Sequence, residues 1–469
     1  MYIIVREGSS TGAERGIPMR TRRKITVDSS PSHRVVLRVL MHLGLILVSI
    51  WPFSSGFAAA AAPPTAESAA SAGTGDPQTG AYHTPLAGEP GRASFLGYPV
   101  QIPAVDRSHL SSITLGGSVL NPKQGGTLGV PVVALYLRRI EPEFRTRDTI
   151  SVFVNELEYD RRFGDLELVG RFENYTLPTA QTELSGNSEI QATSVYWGTL
   201  LGALGPGLRI PVAPYQVDND LRLQLLGCAG YLYARRNDNT GRNLVLPPDT
   251  LLYGAQARVR YDTLRRNLLE LPHEGFGTGF DVDYLVRDRW RALGVPGALE
   301  TPNKDYLQVS GYFVGAGPVP GLSERNRLLV SLYGGATPGG RGDRYNAYRI
   351  NGGPFPSEAD DLPRPHYTSL VYDDIFTTDY AIASAGFRRE LAFFIYLSLV
   401  GSYIWTDRAT ALSDGRVDFH HVSAASGTAS LDFAFFWNSS VNVSYVWDSG
   451  AIRNGRSGSG IIVTWNKLL

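Results

Sequence analysis

The chain has 469 residues, with 44 Lys plus Arg against 44 Asp plus Glu, so its formal net charge is zero. A neutral chain has no global field to draw it to a polyanion, which argues against nucleic-acid binding. The single Cys228 excludes an intrachain disulfide, no Cys/His cluster has the spacing of a zinc site, and 51 glycines with 11% aromatics make a β-rich composition.

From the N-terminus, residues 1–62 read as an extension and a cleavable secretory signal. The only long apolar run, Val35 to Trp51, follows Arg20, Arg22, Arg23, Lys24 and Arg34 and precedes Pro52 and the small-residue stretch Ala58 to Ala62. A basic region, an apolar core and an Ala-x-Ala exit place cleavage near Ala60 to Ala62. Arg38 and His42 shorten the clean core, which disfavours an uncleaved membrane helix. Residues 1–18 lack leader character, so Met19 is the expected start. Residues 63–108, rich in Ala, Pro, Gly, Ser and Thr, contain too few large apolar groups to bury a core and are expected to form a disordered linker or a short segment entering a lumen.

Residues 109–469 are expected to form one domain. From Ile113 onward apolar and polar residues alternate in runs of about ten, the length a tilted strand needs to cross the hydrocarbon of a bilayer. Leu251, Tyr253, Ala255, Ala257, Val259 and Tyr261 share one face, while Leu252, Gly254, Gln256, Arg258, Arg260 and Asp262 share the other. Phe280, Val282, Tyr284 and Val286 alternate with Gly279, Asp281 and Asp283, so two polar faces of opposite charge meet. Leu166, Leu168 and Phe172 against Glu167, Arg171 and Glu173, Leu431 to Trp437, and Val441 to Asp448 repeat the pattern. Aromatics near run ends, Tyr261, Tyr284, Tyr403, Trp405, Trp437, Trp447 and Trp465, suit interfacial girdles. Turn chemistry at 237–241, 246–249, 315–318, 337–340, 413–415 and 454–455 separates about 14–16 strands, within the range for single-chain barrels. With no second apolar span after the leader, a membrane-crossing mature chain has to be a closed antiparallel transmembrane β-barrel, the other structure that satisfies every backbone group in lipid.

Two stretches carry a family resemblance. Tyr261 to Phe276, with Asp262-Thr263-Leu264-Arg265-Arg266-Asn267, Pro272 and Gly275, is similar to a hairpin of the surface-antigen (bacterial D15-type) barrel superfamily, which includes the outer-membrane assembly insertase and the two-partner secretion translocators. Arg327 to Val330, then Tyr345 to Gly353, Tyr380 and Phe387 to Glu390 resemble the strand, Gly-Gly, long loop and strand that carry that family's lumen-inserted loop. The resemblance covers about the last two-thirds of the exported chain. The family's Val-Arg-Gly-Phe/Tyr loop tip is replaced by Pro363-Arg364-Pro365-His366-Tyr367, and the family's periplasmic POTRA domains have no room in a linker of about 45 residues. The resemblance implies the outer membrane of a Gram-negative-type bacterium and a pore, translocator or assembly component. Its partners would be outer-membrane lipid, the barrel assembly machinery during biogenesis and a separate periplasmic protein. The alternative is a structural or adhesive barrel with a closed lumen.

The remaining constellations read blandly. Glu358, Asp360, Asp361, Asp373, Asp374 and Asp379 match no EF-hand spacing and are expected to be a solvated loop. Arg341-Gly342-Asp343 reads as a turn. There is no Gly-x-Ser-x-Gly elbow and no His-Glu-x-x-His; His420 and His421, beside Asp418, point to opposite strand faces, so one at most could enter a site. No enzyme activity, cofactor or metal is expected. The segment Gly353 to Tyr380, over twenty residues without alternation, is too long for an idle hairpin loop and is expected to fold into the lumen. Arg364 is expected to latch to Asp281 or Asp283 beside Tyr367, the alternative being a mobile extracellular loop.

Overall fold

A wall that is apolar on one side and polar on the other needs a side-chain period of two, and the computed structural model is built of strands throughout its described residues. Those are residues 82–469 apart from 96, 123–127, 152–153, 177–179, 186–187, 213–218, 292, 296–297, 301–302, 340–341, 358–361, 370–374, 412–416, 436–437 and 451–456. The leader, residues 63–81 of the linker, Trp437 and the turns at 413–415 and 454–455 lie outside the described residues.

Sixteen long strands, each antiparallel to its neighbours, close into a ring. They are β1 (His109–Pro122), β2 (Leu128–Ile140), β3 (Phe144–Ser151), β4 (Val154–Phe163), β5 (Leu166–Thr176), β6 (Ser188–Pro211), β7 (Asp220–Arg236) and β8 (Thr250–Asp262). The other half is β9 (Pro272–Arg287), β10 (Asp305–Pro318), β11 (Asn326–Ala336), β12 (Tyr380–Ala392), β13 (Ile395–Ala411), β14 (Val417–Phe435), β15 (Ser439–Asp448) and β16 (Gly458–Leu468). Short segments at Gln181–Ser185 and Arg265–Arg266 pair onto β6 and β9. Closure comes from β16 pairing with β1 in eleven steps, from Gly458↔Pro122 to Leu468↔Ser112, which leaves the ring no free edge. The expected count of about 14–16 strands is met at its upper end.

The expected register holds along these walls. On β15, Val443, Tyr445 and Trp447 are exposed on the outer face at 39%, 54% and 45%, while Asn442, Ser444 and Asp448 are buried inside. On β8 and β9 the outer Leu251, Tyr253, Val259, Phe280 and Tyr284 alternate with the inner Arg258, Arg260, Asp281 and Asp283. The wall is uneven in height. β6 has 24 residues, whereas β3 has 8 and makes only seven pairs with β2, fewer than the 9–11 residues a tilted crossing strand needs.

Both ends of the wall, His109 and Leu468, lie at one rim with the short turns at 141–143, 164–165, 319–325 and 393–394, and the other rim carries the long connections 237–249, 288–304 and 337–379. The expectation of disorder over 63–108 is corrected for the part described. Gly91–Phe95 and Tyr98–Ile102 form a hairpin, and residues 82–107 bind the terminal rim. This segment has no core of its own and is held by polar contacts with the barrel strands and turns and by apolar ones such as Phe95 on Phe394 and buried Leu86.

In a bilayer, Val443→Arg should block folding or insertion, because Arg on the outer face near the midplane costs about 2–4 kcal/mol. Asn442→Arg, facing the lumen, should be tolerated. Heat-modifiable mobility after refolding into lipid vesicles reads this, and equal behaviour of the two variants would contradict the register.

Candidate functional site

Since every outward apolar residue in a strand is followed by an inward one, the site is the inner wall, which divides into two halves. From β3 to β9 it is charged. On β4, Glu156, Glu158 and Asp160 point inward at every second position. Arg209, Arg222 and Arg260 lie side by side across β6, β7 and β8. Asp281 accepts two hydrogen bonds of 2.6 Å from Arg260 and lies 3.7 Å from Arg258, so opposite charges on β8 and β9 meet as neighbours along the wall. From β11 to β15 the inner wall mixes hydroxyls with apolar groups such as Leu329, Tyr333 and Ile404. Ser402 donates to Ser384 at 2.7 Å, Ser430 and Ser444 are 2.7 Å apart, and Ser444 donates to Asn442.

The described parts of the connection 337–379 lie between the halves. Asp343 at its start takes Arg287 at 2.6 and 3.3 Å, and that guanidinium, wholly buried, stacks on Trp290 at 4.0 Å and Tyr306 at 4.8 Å. At its end, Tyr380 lies against Gly335, where any Cβ would stand 2.3 Å from the ring, so only glycine permits the approach. Between these anchors a small ladder pairs Tyr348–Ile350 with Ile375–Thr377. The segment then doubles on itself through Asn351↔His366 and Gly353↔Ser369. Ile350, Phe355, Leu362 and Tyr367 pack with Tyr312, Leu329, Tyr333 and Ile404 of the wall, each such burial being worth about 1.5–3 kcal/mol. Ser426 holds the Thr368 carbonyl at 2.5 Å. Facing the charged half, Arg349 sits over Tyr175 at 4.8 Å and Trp197 at 4.7 Å, and Arg364 is 3.5 Å from Glu156. An amphipathic plug thus fits an amphipathic lumen.

The segment does enter the lumen and Tyr367 is buried in it, but the expected partners of Arg364 are corrected. It meets Glu156 on β4, because Asp281 is already engaged by Arg260 and Arg258 and the plug presents Arg364 to the β4–β5 wall. The alternating acids of β4 are visible in the sequence and were the signal that could have named Glu156. Nothing in the sequence pointed to Arg287 and Asp343. Asp343 opens a turn, its carbonyl accepting the Asn346 amide at 3.3 Å, and its buried carboxylate is the anchor for Arg287; Arg341 lies outside the described residues, as do Glu358, Asp360, Asp361, Asp373 and Asp374. Asp379 accepts the Thr337 amide at 3.1 Å. Among the described residues no acidic or Cys/His group is arranged to hold a metal. His421 pairs with Asp407 and stacks on Trp405 at 4.6 Å, a contact across β13 and β14 that involves no serine.

A strap spans the terminal rim. Tyr82 and Thr84 donate to Glu390, and the Thr84 amide (3.1 Å) and His83 (2.8 Å) reach Glu324. Burial alone would raise the Glu324 carboxyl, but His273 at 3.7 Å and hydrogen bonds from the Thr84 amide and His83 outweigh it and hold it at about 2. The Ala87 amide donates to the Arg266 carbonyl at 2.9 Å. Arg107, buried, pairs with Glu270 in the β8–β9 turn while its carbonyl accepts from Arg138 of β2 at 2.8 Å. β2 and the β8–β9 turn lie on opposite sides of a sixteen-strand ring, so the strap crosses the mouth.

No protein-family model matches the sequence, and no curated protein matches it significantly. Among solved structures the chain is similar to CdiB from Acinetobacter baumannii, with 10% identity and a TM-score of 0.46 over 80% of this chain and 63% of that one. It is also similar to CdiB from Escherichia coli (10%, TM-score 0.46, 82% and 68% covered). For BamA from Haemophilus ducreyi lacking POTRA domains 1–3 the values are 14%, 0.44, 81% and 75%. The chain spans less than two thirds of the first of these. None of these likenesses bears on what the chain does.

The Arg364–Glu156 contact should appear as coupling. In a double-mutant cycle with Arg364→Ala and Glu156→Ala, heat unfolding should give a favourable interaction within the 0.5–3 kcal/mol typical of contacting groups. Strict additivity would show that the two side chains do not meet.

Proposed function

We propose that this chain is an outer-membrane β-barrel of the surface-antigen type that acts as a gated pore or translocator, with the connection 337–379 as its gate. Three things support this reading. The outer face is apolar in the way a bilayer requires, the hairpin at 261–276 resembles that family's, and a long lumen-directed connection leaves between β11 and β12, where the sequence resemblance places it.

The observation that carries the reading is the charged half-wall behind the plug. Buried ion pairs contribute little net stability, and well-packed apolar residues often serve as well or better. A lumen built only to be shut would gain nothing from Glu156, Glu158, Asp160, Arg222 and Arg258, whereas a lumen that fills with water when the plug leaves needs such a surface. Outer-membrane lipid would surround the barrel and the assembly machinery would insert it. Assembly or secretion of a client would take a separate periplasmic partner. The reading needs no catalysis and no cofactor. The second reading, a structural or adhesive barrel with a permanently closed lumen, draws on the strap and the plug closing the same passage twice.

Planar-bilayer conductance separates the two. The unmodified protein should be mostly closed, with brief openings. Replacing residues 341–378 by a short Gly-Ser turn, and freeing the strap with Glu270→Gln and Glu324→Gln, should give a steady large conductance. A variant that inserts fully and stays silent would favour the closed structural barrel.

A further inference from the structure

Between the plug tip, Leu362 and Pro363, and the charged half-wall there is an internal cavity of about 50 Å³. Its lining carries seven arginines against three acidic residues. Most of these arginines are committed. Arg260 is held by Asp281 through two hydrogen bonds, Arg222 by Asp220 at 3.0 Å, and Arg258 donates to Glu158 at 3.2 Å and Gln224 at 3.3 Å. Arg145 is different. Its side chain is 4% exposed, its nearest acids, Glu158 and Asp160, are both 3.7 Å away, and its Nε and Nη1 donors have no hydrogen-bond partner. Its two ion pairs are long and those buried donors make no hydrogen bond, a desolvation cost that a bound acceptor would reduce.

We infer that this cavity is a binding site for a small inorganic oxyanion of the phosphate or sulfate type, held chiefly by Arg145 with Arg222 and Arg258 beside it. The guanidinium is the right donor, since its planar fork matches two oxygens of a tetrahedral oxyanion. The volume also fits. A single water needs about 10–15 Å³ of such space, so the cavity has room for a few waters or one compact tetrahedral ion. The surplus of arginines over acids disfavours a cation in the same place, and Glu158, the acid nearest Arg145, is itself neutralised by three arginines. The site depends on the plug being seated, because Leu362 and Pro363 form its roof, but not on the plug ever leaving. It would stand even if the gating reading failed.

Thermal unfolding of the full chain in detergent, with inorganic phosphate titrated at constant ionic strength against chloride, tests it. The unmodified protein should show a saturable rise in unfolding temperature with phosphate and none with chloride, as ligand linkage requires. Arg145→Gln should weaken the apparent phosphate affinity at least tenfold, while Arg289→Gln, an exposed arginine at the long-loop rim, should leave it unchanged. Should Arg145→Gln fail to fold, Leu362→Phe, which fills the cavity from the plug side, should remove the phosphate effect instead. No saturable effect in the unmodified protein would mean that the cavity holds only water. An effect retained in Arg145→Gln or Leu362→Phe would place the anion elsewhere. Either result overturns the assignment.

Discussion

Closure of the hydrogen-bonded ring is the constraint on which the rest of this structure depends. Once β16 pairs with β1, each of the sixteen strands has a hydrogen-bonded neighbour on both sides, and the main freedom left to a paired residue is which side of the wall it faces. An outer face that is apolar then forces alternate residues into the lumen. A ring of sixteen strands is too wide for side chains alone to fill. The inward residues, charged on one half of the wall and partly apolar on the other, therefore need partners that the wall by itself does not supply.

The plug answers that need in two different ways. Against β10–β14 it offers Ile350, Phe355, Leu362 and Tyr367 to tyrosines and aliphatic residues; against β4–β6 it offers Arg349 and Arg364 to rings and a carboxylate. The asymmetry is informative. Apolar packing holds the plug on one side, while its polar side meets groups that water could also satisfy. The thin flank at β3, with seven pairs to β2 and seven to β4, is the least braced part of the wall and lies in its charged half.

Much of the wall was legible in the sequence because period-two alternation is local. The faces of β8, β9 and β15 follow from reading every second residue, and the opposite charges of β8 and β9 follow from two adjacent strands. The strap was not legible. Its composition is that of a linker, and its order comes from single contacts to residues far along the chain, such as Thr84 with Glu390 and Arg107 with Glu270, which leave no periodic trace. The partner of Arg364 was misplaced for a similar reason. Sequence supplies the charge of Asp281 but not the fact that Arg260 already occupies it. Contacts across a lumen are set by how the plug folds on itself, through pairs such as Gly353 with Ser369, and not by any repeat in the strands.

The central claim, that the connection 337–379 is a folded plug seated in the lumen at rest, is tested most directly by hydrogen exchange on the protein in lipid. The Tyr367 amide donates to the Asn351 carbonyl at 2.9 Å and the Gly353 amide to Ser369 at 2.8 Å. Peptides covering 351–369 should therefore exchange over the minutes to hours typical of wall strands, since opening them requires unseating the plug. Complete exchange within seconds, as for a solvated surface loop, would contradict the account.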